Sequence, residues 1–229
     1  MTHLRKSILL LCLFLNVAVF GQQFRTTYVK KIQKSVRLNL YGSYVFQDSF
    51  DSYYDYGNYY QGKLNDGFQY GAGVEFEVTP DSYLEVQYLR QDTQAPTQYY
   101  NGGRRDQFSN FDVAMNYIML SGNRSFGKPG GTIEGFGGLM AGMAIVSIDN
   151  PQHSYSDSLT KLAWGLKGGV IVWANKKVGL KFQGQLLSVA QSVGGDVYFG
   201  SGGVSTGLSS YSSIYQFSLG GGLVFELAK

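Results

Sequence analysis

Apolar and polar residues alternate along most of the chain. In FQYGAGVEFEV (68–78), Phe68, Tyr70, Ala72, Val74, Phe76 and Val78 oppose Gln69, Gly71, Gly73, Glu75 and Glu77. After the turn signal Thr79-Pro80-Asp81 the pattern resumes in 82–91, with Leu84, Val86 and Tyr88 opposite Glu85 and Gln87. A second hairpin joins 160–173 to 178–187 through Ala174-Asn175-Lys176-Lys177. There Leu162, Trp164, Leu166, Val170 and Val172 oppose Lys161 and Lys167, and Val178, Leu180, Phe182 and Leu186 oppose Lys181, Gln183 and Gln185. Period-two alternation of this kind predicts half-buried strands.

The stretch GGTIEGFGGLMAGMAIVSID (130–149) is the ambiguous one, because Gly138 and Gly142 have the spacing of packed membrane helices. Its charge-free run of about 14 residues is short of the roughly 20 a spanning helix needs, and each interior glycine weakens a helix by about 1 kcal/mol. With period two, Ile133, Leu139, Ala141, Met143 and Ile145 share an apolar face and Glu134 lies on the other, so it also reads as a strand. Further strands are expected at 36–47, near 110–124 and at 212–227, giving eight. The connections alternate long (48–66), short (79–81), long (92–109), short (125–131), long (149–158), short (174–177), long (189–211).

An even-stranded meander with alternating long and short connections predicts an all-β fold, an eight-stranded antiparallel up-and-down transmembrane β-barrel. Short turns would face the periplasm and long loops the exterior. The polar strand faces carry Arg37, Asn39, Glu75, Glu77, Glu85, Asp112, Asn116, Glu134, Lys167, Lys181 and Glu226. So many charges do not suit a sandwich core, whereas a barrel lumen can pair them. The expected lumen network is Arg37, Lys167 and Lys181 with Glu75, Glu77, Glu85 and Glu226. An eight-stranded interior is just wide enough for side chains, so it is plugged rather than open.

The ends and composition add an address. MTHLRKSILLLCLFLNVAVFGQQ has a basic start, an apolar core and a small-residue cleavage site, the form of a secretory signal peptide over 1–21, with the barrel domain over 22–229. Cleavage would remove the only cysteine and leave a nearly neutral chain. Charged residues make up 15% of the sequence against the usual ~25%, and no basic patch argues for nucleic acid. The expected location is the outer membrane, reached by the signal peptide.

The last strand carries Ser218-Leu-Gly220-Gly-Gly-Leu223-Val-Phe225, the polar-x-Gly-x-x-hydrophobic-x-aromatic signal that barrels present to the assembly machinery. On this motif and the strand arrangement the chain resembles the small eight-stranded outer-membrane barrels of the OmpA/OmpX type, particularly those of Bacteroidota. It departs from the commonest form by continuing past the aromatic with Glu-Leu-Ala-Lys. The resemblance implies a monomer in contact with outer-membrane lipid and lipopolysaccharide, assembled by the barrel machinery through Ser218, Gly220, Leu223 and Phe225. It does not supply an activity, because the family holds adhesins, structural barrels and lipid-modifying enzymes.

Candidate chemistry is sparse. Gly203-Val-Ser205-Thr-Gly207 matches a nucleophile elbow, but no histidine follows it and it lies in a Gly/Ser-rich segment. His153, beside Ser154 and Asp157, is the one histidine of the mature chain, and it reads as a loop residue. The spacing of Asp48, Asp51 and Asp55 fits no dedicated Ca²⁺ loop. No catalytic group, cofactor site or metal site is therefore expected. The first long loop instead repeats tyrosine among Asp, Ser, Gly and Asn: Tyr53, Tyr54, Tyr56, Tyr59 and Tyr60. That composition recurs in recognition surfaces, and Arg104 and Arg105 in the next loop suit phosphate. The function expected from sequence is a non-catalytic barrel with a structural or surface-interaction role, toward an extracellular protein or glycan. The alternatives are a rim-located lipid A-modifying enzyme using His153, or an accessory barrel of a secretion or envelope-assembly machine.

Overall fold

The computed structural model describes residues 34–54, 58–101, 107–127, 131–150, 155–190 and 214–228. The expected signal peptide, Tyr56, Arg104, Arg105, His153 and the Gly203–Gly207 elbow pattern lie outside them. The strands are β1 (Val36–Val45), β2 (Asp48–Tyr54), β3 (Asn58–Leu64), β4 (Gly67–Thr79), β5 (Ser82–Asn101), β6 (Gln107–Phe126), β7 (Ile133–Asn150), β8 (Tyr155–Trp173), β9 (Val178–Val189) and β10 (Ile214–Ala228).

Eight of them close a ring. β1 pairs with β4 on one side and β10 on the other, and the ladder runs β4, β5, β6, β7, β8, β9, β10, every pair antiparallel. The 130–149 stretch is strand β7, as its alternation predicts. The short turns carry the chemistry that lets them be short. Asp81 takes φ 62° in the β4–β5 turn, a conformation Asp tolerates better than most residues. In the β8–β9 turn the Asn175 side-chain oxygen accepts from the Lys177 and Val178 amides at 2.8 and 3.0 Å.

The closing seam depends on glycine. A Cβ on Gly222 would lie 1.6 Å from the Leu40 carbonyl oxygen, and one on Gly220 would lie 2.3 Å from that of Gly42. Neither neighbour can yield, because both are backbone atoms of the paired strand β1. Gly222→Ala is expected to destabilise the barrel by about 1–3 kcal/mol, read as a lowered midpoint in urea unfolding. Gly122→Ala, where nothing lies within 4 Å of the added atom, should be nearly silent.

Two expectations are corrected at the long-loop end. The segment 48–66 is not a free loop but the hairpin β2–β3, and β3 residues 58–62 pair with 97–101 of β5. β5 runs on through 92–101, and β7 and β8 take up most of 149–158. The long edge of β5 offers unpaired backbone groups, and tyrosine is a favoured strand residue. The second correction concerns Asp112 and Asn116, expected on the inner face. On β6 the odd positions Ser109 to Asn123 are the buried ones, and Asp112 is exposed on the outer face with Asn116 in its row.

That reversal belongs to a wider one. In the short-turn half the outer face is apolar: Leu84, Val86 and Tyr88 on β5, Leu162, Trp164, Leu166 and Val170 on β8, Leu180 and Phe182 on β9 are exposed. From Leu162 to Val172 this band covers about 33 Å along the strand, or about 23 Å of axial height at a tilt near 45°. The inner face there is polar. Farther along the same strands the faces exchange character. Arg90, Asp92, Gln94, Asn110 and Asp112 face outward, linked by Arg90–Asp92 at 2.7 Å, Gln94 to Asp112 at 3.0 Å and Asn110 to Gln94 at 3.1 Å. Leu89, Ala95, Phe111, Val113, Met115, Val146, Ile148, Leu187 and Ile214 fill the inside as one apolar cluster. The barrel thus has two storeys whose faces largely exchange character, although Gln91, Thr97, Ser109 and Lys161 are also buried inside the upper one.

Candidate functional site

Because inward positions recur every second residue on each strand, side chains from distant parts of the chain meet in layers. At the short-turn mouth the Arg37 guanidinium donates to both oxygens of Glu134 (2.8 and 3.2 Å) and to Glu226 (3.0 Å). Glu134 also accepts from Ser125 Oγ at 2.6 Å and Trp173 Nε1 at 2.9 Å, and Ser35 Oγ donates to Glu226. The guanidinium lies 4.3 Å from the Tyr83 ring centre and 5.1 Å from that of Trp173, a cation–π arrangement on two sides.

The next layer pairs Lys181 with Glu75 at 3.4 Å, the ammonium 4.4 Å from the Phe136 ring centre. Asn123 Nδ2 lies 2.9 Å from both Glu75 and Glu85, tying this layer to the one above. There Glu85 is the hub. It accepts from Lys167, Tyr41 and Asn39, and Lys167 also donates to Gln87 at 2.7 Å. The Glu85 and Lys167 side chains are fully shielded from solvent. Above them Gln185 donates to Gln69 at 3.1 Å and Tyr117 to Gln216 at 2.8 Å, and the apolar cluster begins.

All seven residues expected in the lumen are on the inner face, but not as one set of pairs. Glu77 is not ion-paired among the described residues and accepts the Ser35 amide at 3.0 Å. Glu134, whose inward phase was legible but whose partner was not, takes the principal bond of Arg37. Trp173 and Tyr83, absent from the sequence-level network, box that guanidinium. Their odd-numbered positions, in phase with Lys167 and Glu85, were the available signal. Of the assembly pattern, Ser218 is buried inside and Leu223 points outward. Tyr53 and Tyr54 are on β2, Tyr59 and Tyr60 on β3, with Tyr59 opposite Tyr100 and Tyr60 opposite Tyr99 of β5. Among the described residues no cluster of His, Cys, Asp and Glu could hold a metal ion.

Among the described residues this interior is a ladder of ion pairs and hydrogen bonds beneath an apolar cluster.

No known family's sequence profile matches the chain, and no curated protein resembles it closely in sequence. The fold does have solved counterparts. Neisserial surface protein A aligns over 84% of this chain and 97% of its own at 12% identity, TM-score 0.55. The outer membrane protein OprG from Pseudomonas aeruginosa aligns over 85% of this chain and 98% of its own at 12% identity, TM-score 0.50. The chain has the fold of these small outer-membrane barrels.

Proposed function

We propose that this protein is a non-catalytic barrel of the outer membrane, with short turns in the periplasm, that displays an interaction surface outside the cell. The observation that carries the reading is the continuation of β5 and β6 beyond the apolar band. From Arg90 to Asn101 β5 adds about 36 Å of strand, or roughly 26 Å of height at a barrel tilt. The extension is filled inside by Phe111, Val113, Met115 and Ile148 and, apart from the exposed Phe108, largely polar outside, so it presents a surface and not a channel. The likeness to a surface protein and an outer membrane protein supports the setting. The apolar band supports insertion, since its height of about 23 Å is close to the ~25 Å typical of such barrels.

The recognition surface is the β2–β3 hairpin and the β5 edge it joins, with Tyr53, Tyr54, Tyr56, Tyr59 and Tyr60 and, on the neighbouring connection, Arg104 and Arg105. Tyrosine supplies contact area with two torsions to freeze, and a strand-paired hairpin holds such residues in place better than a loop. The partner is an extracellular protein or glycan. Replacing the five tyrosines by serine is expected to leave heat-modifiable gel mobility unchanged while reducing adhesion of intact cells to host-matrix proteins or glycan arrays at least fivefold. Unchanged adhesion would leave a purely structural barrel. Conversion of lipid A by wild-type cells, lost in His153→Ala, would favour the lipid-modifying alternative.

A further inference from the structure

The two ends of the lumen differ. The long-loop end is packed with apolar side chains, whereas the short-turn end opens into a cavity of about 690 Å³, within the size range of small-ligand sites. Its lining is built rather than incidental: Trp173 and Tyr83 form aromatic walls, and four carboxylates (Glu77, Asp81, Glu134, Glu226) face two cations, Arg37 and Lys176. Arg37 is spent, because Glu134 and Glu226 hold it from two sides and the two rings cover its faces. Glu77 and Asp81 have no cation within 4 Å among the described residues, Glu77 half-buried and Asp81 exposed at the rim.

We infer that this mouth is a binding site for an organic cation, an alkylammonium or guanidinium group carried on a slender apolar stem. The site already shows the chemistry on its own residue: a guanidinium seated between two aromatic rings and two carboxylates. A second cation entering beside it meets Glu77 and Asp81, which hold no ion pair among the described residues, with the half-buried Trp173 ring beside its stem. Among the described lining residues an anion would face four carboxylates, with Lys176 the one cation not already held by them. The group can arrive on a free polyamine or on a lysine or arginine side chain of a peptide. That the mouth opens to the periplasm rests on the orientation proposed above, but the binding itself does not, so one can fail without the other.

The test uses the full barrel purified from membranes in detergent and carrying Trp164→Phe, which leaves Trp173 as the only indole. Its fluorescence is titrated with spermidine, with a lysine-containing tripeptide and with the fully acetylated form of each. Saturable change with either cation and none with the acetylated forms is expected, and the tighter of the two identifies the source. Glu77→Gln with Asp81→Asn should weaken binding at least tenfold at unchanged heat-modifiable mobility. Asn keeps the positive φ at 81 accessible. If the double variant loses that mobility, Asp81→Asn alone, on an exposed turn, should weaken binding at least threefold. No saturation, equal binding of an acetylated form, or wild-type affinity in the folded carboxylate variant overturns the proposal.

Discussion

Glu85→Leu is expected to lower the unfolding free energy of the barrel by about 3–5 kcal/mol, the cost of leaving a buried charge without its partner. The position is the least forgiving in the lumen. Lys167 is shielded from solvent and, among the described residues, has Gln87 alone left to accept from it once Glu85 is gone, and Tyr41, Asn39 and Asn123 each lose an acceptor. Glu85→Leu combined with Lys167→Met should recover much of the loss, because two apolar groups of similar volume replace a pair whose desolvation nearly cancels its attraction. Urea unfolding in lipid vesicles, followed by tryptophan fluorescence, measures all three variants. A double variant no better than the single one would show that Glu85 acts through its neutral partners and not through Lys167.

Leu166→Arg is expected to cost about 2–4 kcal/mol, the depth-dependent penalty for a cation near the bilayer midplane on a barrel exterior. Leu166 is exposed on the outer face of β8, midway along the Leu162–Val172 band. Gln94→Arg makes a similar change on the outer face of β5 but above the band, among Asn110 and Asp112, and should stay within about 0.5 kcal/mol. Refolding yield into vesicles and the urea midpoint read both. Equal cost at the two positions would place the lipid boundary elsewhere.

The eight-stranded ring and the inward phase of the lumen charges were legible from alternation, since a period of two assigns every side chain of a strand once one is assigned. What alternation could not show is a change of solvent along a strand. On β6, Phe111, Val113 and Met115 alternate with Asn110 and Asp112 as regularly as Ile118 and Leu120 alternate with Met119 and Ser121. The pattern is continuous while the apolar set moves from the outer face to the inner one. A single assumed solvent therefore put Asp112 and Asn116 on the wrong side. The β2–β3 hairpin was missed for another reason: its partner is β5, far along the chain, and Asp, Ser, Gly and Tyr signal a loop unless an edge is known to be waiting. The pairing of Arg37 with Glu134 was likewise invisible, because facing partners across a lumen depend on register, and register is set around the whole ring.

The exchange of faces also guards the alignment of the long strands. Shifting one strand by a single residue turns all its side chains to the opposite face. In an ordinary barrel one storey would register that error. Here β5, β6, β7 and β8 would err twice, bringing charges such as Glu85 and Lys167 against acyl chains below and turning Phe111 and Ile148 toward water above. No single slip satisfies either half, so each of these strands is aligned by two independent checks read at its two ends.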